Sequence, residues 1–236
     1  MASRPLILAH QGSCRRAPGN SLDAFTFARE DGADGVELDV RRTADGVLVV
    51  YHDSEVEGVG LLASRHFADV RSEAPRIPTL GEALDVLEGM IVNIEVKCLP
   101  WEPDADDERT VAAAVVAMID ERGLHDDIVV SSFDLDGVDF VRSLDSRVVT
   151  GWLTMGQDPQ TTLPIARARG HEWLHPDSGV LTAEAAPCAV RRAEEHGVKL
   201  DVWTVDEEDH IRALAAAGVH AVITNVPDVA LAVLTC

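Results

Sequence analysis

Gly35-Val36-Glu37-Leu38-Asp39-Val40-Arg41-Arg42-Thr43-Ala44-Asp45-Gly46-Val47-Leu48-Val49-Val50-Tyr51-His52-Asp53 is the stretch on which the reading of this chain turns. Residues 36–40 form an apolar run with two acids two positions apart, and strand side chains alternate faces, so Glu37 and Asp39 point the same way. Thr43-Ala44-Asp45-Gly46 has turn chemistry and residues 47–52 are β-rich, which predicts a hairpin. Pairing by equal distance from the turn sets Glu37 opposite His52. Two carboxylates buried together on one face are costly without a cation. The stretch therefore predicts a metal-assisted acid–base site on a strand and its returning arm.

Outward from it, short β-rich runs at residues 6–9, 36–40, 91–96, 128–131, 148–153, 172–175, 200–205 and 221–224 alternate with alanine-rich helical patterns. The helices are expected near residues 21–31, 80–88, 108–122, 136–144, 161–168, 183–195, 207–217 and 227–234. Eight repeats of strand then helix predict an α/β fold, a (β/α)8 TIM barrel with a β-hairpin excursion after the second strand. A doubly wound sheet would carry a glycine-rich first turn, and neither G-x-G-x-x-G nor G-x-x-x-x-G-K-S/T occurs. Residues 47–52 follow too closely for a crossover helix, which makes them the hairpin arm. Residues 54–78 and 100–107 read as the longest loops. Neither has a linker's composition, so residues 1–236 are expected to form a single barrel domain.

Lys and Arg number 20 against 41 Asp and Glu, a formal net charge of -21. Such a chain repels nucleic-acid backbones and anionic membranes, and it draws divalent cations into a cleft. No apolar run approaches a membrane span, and residues 6–9 are too short for a signal peptide, so a cytoplasmic protein acting on a small molecule is expected. Cys14, Cys98, Cys188 and Cys236 are scattered without a C-x-x-C pair, which predicts free thiols.

Polar groups gather where the strands end: His10, Glu37 with Asp39, Glu95 with Lys97, Ser131 with Ser132, Trp203 with Thr204, and Thr224 with Asn225. Barrel active sites lie at the C-terminal ends of the strands, so one mouth would collect them all. Three carboxylates suit a hard ion such as Mg2+ or Ca2+, leaving two histidines for proton transfer. Ser131 lacks the Gly-x-Ser-x-Gly setting of a nucleophile and reads as a hydrogen-bonding group at the mouth. Lys97 either contacts substrate or neutralises a neighbouring acid, and Trp203 either packs under the mouth or lines the leaving-group pocket. His175 reads as a pocket-edge or loop residue, and His66, His125, His171, His196, His210 and His220 as surface groups.

The order His10-Gln11-Gly12, Pro18-Gly19-Asn20-Ser21, Glu37-Leu38-Asp39-Val40, Asp45-Gly46, His52-Asp53, Ile77-Pro78-Thr79-Leu80, Ile94-Glu95-Val96-Lys97, Ser131-Ser132-Phe133-Asp134, Trp203-Thr204-Val205 and Ile223-Thr224-Asn225-Val226-Pro227 resembles the glycerophosphodiester phosphodiesterase family. The resemblance implies a metal-dependent barrel hydrolase that cleaves glycerophosphodiesters to glycerol phosphate and an alcohol, with Mg2+, Ca2+ or Mn2+. It implies His10 and His52 as the acid–base pair, Glu37, Asp39 and Glu95 as metal ligands, and Lys97 at the phosphate. We read His52 as the base and His10 as the acid.

Two departures fall inside the site. The family has His-Arg-Gly where this chain has His10-Gln11-Gly12, and Pro-Glu-Asn-Thr where it has Pro18-Gly19-Asn20-Ser21. A neutral amide at Gln11 replaces a guanidinium suited to phosphate, at a cost of about 1–3 kcal/mol in binding. Arg15, Arg16 and Arg41 are the candidates to compensate. The departures leave two alternatives beside the diesterase: a non-catalytic barrel binding a phosphorylated or polyol ligand, or an enzyme shifted to lysophospholipids or sugar phosphodiesters.

Overall fold

Runs of β-branched residues bounded by turns build eight parallel strands that close on themselves, each followed by a helix laid against the outside. The computed structural model describes residues 4–97 and 99–235. In chain order the elements are β1 (Leu6–His10), α1 (Leu22–Glu30), β2 (Gly35–Arg42), β3 (Leu48–Val50), β4 (Glu55–Val56), β5 (Gly60–Leu61), α2 (Phe67–Glu73), α3 (Leu80–Val86), β6 (Ile91–Val96), α4 (Thr110–Arg122) and β7 (Ile128–Ser132). There follow α5 (Leu135–Leu144), β8 (Val149–Thr154), α6 (Pro159–Arg169), β9 (Trp173–Pro176), α7 (Ala186–His196), β10 (Lys199–Val202), α8 (Glu208–Ala217), β11 (Ala221–Thr224) and α9 (Pro227–Thr235). The ring runs β1-β2-β6-β7-β8-β9-β10-β11 and returns to β1, with β3 paired outside it on β2. This is the expected TIM barrel with its extra hairpin strand.

The helices stop and start on local chemistry. Ser21 caps α1, its hydroxyl accepting from the Ala24 N–H at 3.2 Å, and Ala24, Phe25 and Ala28 form the buried stripe behind it. Thr79 and Glu82 make a reciprocal capping box on α3. Outside the ring, Val36, Leu38 and Val40 of β2 and Val92 and Ile94 of β6 pack on α3 and α4, and a second core joins β9–β11 to α6–α8.

The hairpin differs from the equal-distance pairing. Val40 lies opposite Val50, Arg41 opposite Val49 and Arg42 opposite Leu48, so the arms are offset by one residue from the expected register. The loop has three residues, Ala44, Asp45 and Gly46, and Gly46 takes the left-handed conformation at φ +79°. Thr43 closes it: its N–H donates to the Val47 carbonyl at 3.0 Å and its hydroxyl accepts from the Val47 N–H at 3.1 Å. The strand ends at Val50, so His52 is not the cross-strand partner of Glu37 but a residue of the turn beyond it.

Residues 54–78, expected as loop, hold β4, β5, a single 3-10 turn (Leu62–Ser64) and α2. Val56, Val59, Leu62, Val70 and Ile77 pack with Val49 into a small separate core. These elements are too short to show periodicity in the sequence. Residues 100–107 form no helix or strand, as expected, and α4 starts at Thr110 rather than at the expected 108.

Candidate active site

The barrel register brings the polar strand ends level. His10 pairs with Glu37 across β1 and β2, and Asp39 pairs with Glu95 across β2 and β6. Carboxylate oxygens of Glu37, Asp39 and Glu95 all lie within 4.8 Å of one another, and all three side chains are buried. Lys97, from the residue after β6, donates to Glu95 Oε1 at 2.8 Å and stands 3.4 Å from Asp39 Oδ1.

One ammonium among three buried carboxylates leaves the group electrically unbalanced. Burial, followed by repulsion from Asp39 and Glu95, pushes the Glu37 carboxyl well above the ordinary glutamate range. Burial and Asp39 push Glu95 up to about 7, against the pull of Lys97. Burial works against the Lys97 ammonium, but Glu95, Asp39 and Glu37 outweigh it and hold its pKa above the usual lysine value. An all-oxygen set of three converging carboxylates short of positive charge fits a hard divalent cation. Asp120, His125 and Asp145 also converge, but there Arg147 donates at 2.6 Å to both Asp120 and Asp145, so its charge is already met.

The sides of the site hold the carboxylates in place. Asp39 Oδ2 accepts from Gln11 Nε2 at 2.9 Å and from Asn20 Nδ2 at 2.7 Å, and Asn20 Oδ1 accepts in turn from the Asp39 N–H at 3.2 Å. Gln11 also donates its own N–H to Glu37 Oε2 at 3.2 Å. A Cβ added at Gly19 would fall 2.5 Å from Gln11 Oε1, so the small residue at 19 and the amide at 11 fit together as a pair. Asn20, a group that composition and spacing did not single out, therefore orients a carboxylate.

His10 Nδ1 is 2.8 Å from Asn225 Oδ1 and its Nε2 is 3.8 Å from Glu37 Oε2, with the side chain 30% exposed. His52 Nδ1 is 2.7 Å from Asp53 Oδ1 and its side chain is 55% exposed. Its ring is near enough to Glu95 that a charge on it favours the ionised carboxylate. Both histidines thus have Nδ1 engaged and Nε2 available.

Several expectations are corrected by this geometry. Arg41 does not stand in for a phosphate-binding arginine: it is buried, paired with Asp104 at 2.7 Å and Glu102 at 2.9 Å, and donates from Nε to the His52 carbonyl at 2.8 Å. Arg16 is tied to Asp31 and Glu30, and Arg15 is exposed. His175 is no edge residue but sits inside the barrel, 3.4 Å from Asp201, and burial pushes its pKa down to about 3. His171 is buried as well, between Thr150 and Asp139. Ser131 lies level with Glu95 across β6 and β7 and is fully buried, its hydroxyl without a hydrogen-bond partner among the described residues. Trp203 donates its indole N–H to the His175 carbonyl at 2.8 Å and stands edge-on to Phe133 at 5.4 Å. Cys14 and Cys188 are free thiols, and Cys98 and Cys236 lie outside the described residues.

The sequence profile of the glycerophosphoryl diester phosphodiesterase family matches residues 10–229, the span that contains every one of these groups. The chain belongs to that family. Among glycerophosphodiester phosphodiesterases, the protein of Caldanaerobacter subterraneus subsp. tengcongensis is 28% identical over 95% of this chain and 96% of its own. The crystal structure of a glycerophosphodiester phosphodiesterase from Thermotoga maritima superposes with a TM-score of 0.81 at 26% identity, covering 100% of both chains. That of a glycerophosphodiester phosphodiesterase from Parabacteroides distasonis gives 0.85 at 25% identity, covering 100% of this chain and 98% of the other. The matched family is one of phosphoric diester hydrolases, and the carboxylates and histidines at the mouth belong to an enzyme of that class.

Proposed function

We propose that the chain hydrolyses glycerophosphodiesters to glycerol phosphate and an alcohol, with a divalent cation on Glu37, Asp39 and Glu95 and proton transfer by His10 and His52. The observation that carries the reading is the convergence of three buried carboxylates beside His10 at the barrel mouth of a member of this family. A bound Mg2+, Ca2+ or Mn2+ supplies positive charge for the anionic phosphoryl group. Lys97 adds a fixed ammonium beside that group and offsets Glu95 and Asp39. Each histidine moves its proton at Nε2, one taking it from the attacking hydroxyl and the other returning it to the leaving oxygen. Gln11 and Asn20 hold the Asp39 carboxylate in a fixed orientation, and Gln11 does so with the amide that would otherwise face substrate. Trp203 and Phe133 offer an apolar wall for the leaving alcohol.

The Gln11–Gly19 pair favours a second reading within the same chemistry, an enzyme shifted to lysophospholipids or sugar phosphodiesters, because an amide stands where the family has a guanidinium and both Arg16 and Arg41 are held in ion pairs elsewhere. Among the described residues no helix is long and apolar enough to cross a membrane, and the two free thiols suit the reducing cytoplasm. The test is turnover of a diester panel by purified protein. Activity on glycerophosphocholine or a related glycerophosphodiester is expected to vanish in EDTA and return with Mg2+, Ca2+ or Mn2+. Absence of turnover on every diester by protein with measured, stoichiometric metal would refute the reading.

A further inference from the structure

The loops after β10 and β11 meet beside His10. Asn225 Nδ2 donates to Asp206 Oδ2 at 2.8 Å, while the Asn225 N–H and the Thr224 hydroxyl donate to Asp206 Oδ1 at 2.8 and 3.1 Å. An ionised carboxylate only accepts, so the amide nitrogen of Asn225 must face Asp206. Its oxygen is thereby turned the other way, onto His10 Nδ1 at 2.8 Å and Cys14 Sγ at 3.1 Å. An amide oxygen also only accepts, so both of those neighbours must donate. Cys14 meets the requirement: burial, and then Asp206, raise its pKa and keep it a thiol. His10 meets it only by carrying a proton on Nδ1.

We infer that Asp206 is a positioning residue which, through Asn225, locks neutral His10 in the Nδ1–H tautomer and leaves the Nε2 lone pair facing the barrel mouth. The consequence for turnover rests on the proposed role of His10 in diester hydrolysis. A ring that moves protons at Nε2 is in the Nδ1–H form whenever it is neutral, whether it gives the proton or takes it. With the other tautomer, Nδ1 would accept from an amide NH2, and protonating the ring would set two donors against each other.

The geometry specifies how to invert the lock and how to restore it. In Asp206→Asn, Oδ1 stays on the Asn225 N–H and the Thr224 hydroxyl, so an NH2 replaces Oδ2. Asn225 must then turn its oxygen to residue 206 and its NH2 to His10, which moves the ring proton to Nε2. In the double variant Asp206→Asn with Asn225→Asp, the carboxylate at 225 accepts from both sides and returns the proton to Nδ1.

Ring-nitrogen NMR on 15N-histidine-labelled, Mg2+-loaded protein at about pH 8.5, where an ordinary imidazole is neutral, reads the tautomer directly. His10 is assigned by its absence in His10→Gln. Expected are Nδ1–H in the wild type, Nε2–H in Asp206→Asn and Nδ1–H again in the double variant. In parallel, kcat should fall about 100-fold in Asp206→Asn with KM within about 3-fold, and recover at least about 10-fold in the double variant. Nε2–H in the wild type, or Nδ1–H retained in Asp206→Asn, overturns the inference, as does a folded double variant that stays Nε2–H. The tautomer series as expected, without diester turnover by the wild type, would uphold the lock and refute the diesterase reading.

Discussion

Glu95→Gln is expected to make the metal-free protein more stable while removing its affinity for divalent ions. In the fold, burial and Asp39 hold the Glu95 proton up to about pH 7, whereas the ordinary glutamate value that applies to the unfolded chain is 4.5. A carboxyl whose folded pKa is raised loses stability as pH climbs from the unfolded value to the folded one, because over that window only the unfolded chain releases the proton. The difference works out to about 1 kcal/mol at pH 5 and about 3 kcal/mol at pH 8, which a glutamine escapes. Its Oε1 still accepts from Lys97, and Lys97 keeps Asp39 at 3.4 Å, so no buried charge is stranded. Urea unfolding in EDTA at the two pH values measures the gain directly. Adding Ca2+ should reverse the order, since binding to the folded state stabilises only the protein that retains all three carboxylates. A gain equal at pH 5 and pH 8, or a loss at pH 8, would refute the account of an electrostatically overloaded site.

Two other substitutions probe the frame around it. Arg41→Met removes a buried guanidinium from Glu102 and Asp104, for an expected loss of about 3–5 kcal/mol in thermal or urea unfolding, and frees the His52 carbonyl so that kcat falls in the surviving folded protein. Unchanged stability would show that these ion pairs are not closed in solution. Gln11→Arg is expected to raise kcat/KM for glycerophosphodiesters about 10-fold, the equivalent of one charge-assisted hydrogen bond; no change would mean that the amide at 11 does not limit phosphate binding.

The barrel was legible because its signals are repetitive: eight apolar runs alternate with alanine-rich helices, and six of the eight end in polar residues. The convergence of Glu37, Asp39 and Glu95 followed from that architecture, since residues at strand ends share one mouth. What escaped was whatever depended on a one-residue offset or on contacts between loops. The hairpin register depended on a three-residue loop closed by Thr43, and spacing alone fits a two-residue pairing equally well. Arg41 carries nothing in its neighbours to reveal that Glu102 and Asp104 will bury it. Asp206 is one acid among 41 Asp and Glu, and only the folded loop shows it beside Asn225. His175 lies on a strand position whose side chain turns inward, and its place before Pro176 suggested a pocket edge where the structure has an interior.

The tip of the hairpin limits how this protein can diversify. Each residue inserted into Ala44-Asp45-Gly46 or into either arm would displace His52 by one position and turn the returning arm's side chains over. Natural variation there should run to substitution, with length held constant. The segment after Asp53 is anchored to the hairpin by Val47, Val49 and Tyr51, by the Phe67 N–H on Asp45 and by the Ala44 N–H on the Arg65 carbonyl, but its exposed Glu57-Gly58 turn between β4 and β5 is outside those contacts. Lineages of this fold can therefore lengthen the rim by insertion at that turn while the distance from Glu37 to His52 is inherited unchanged.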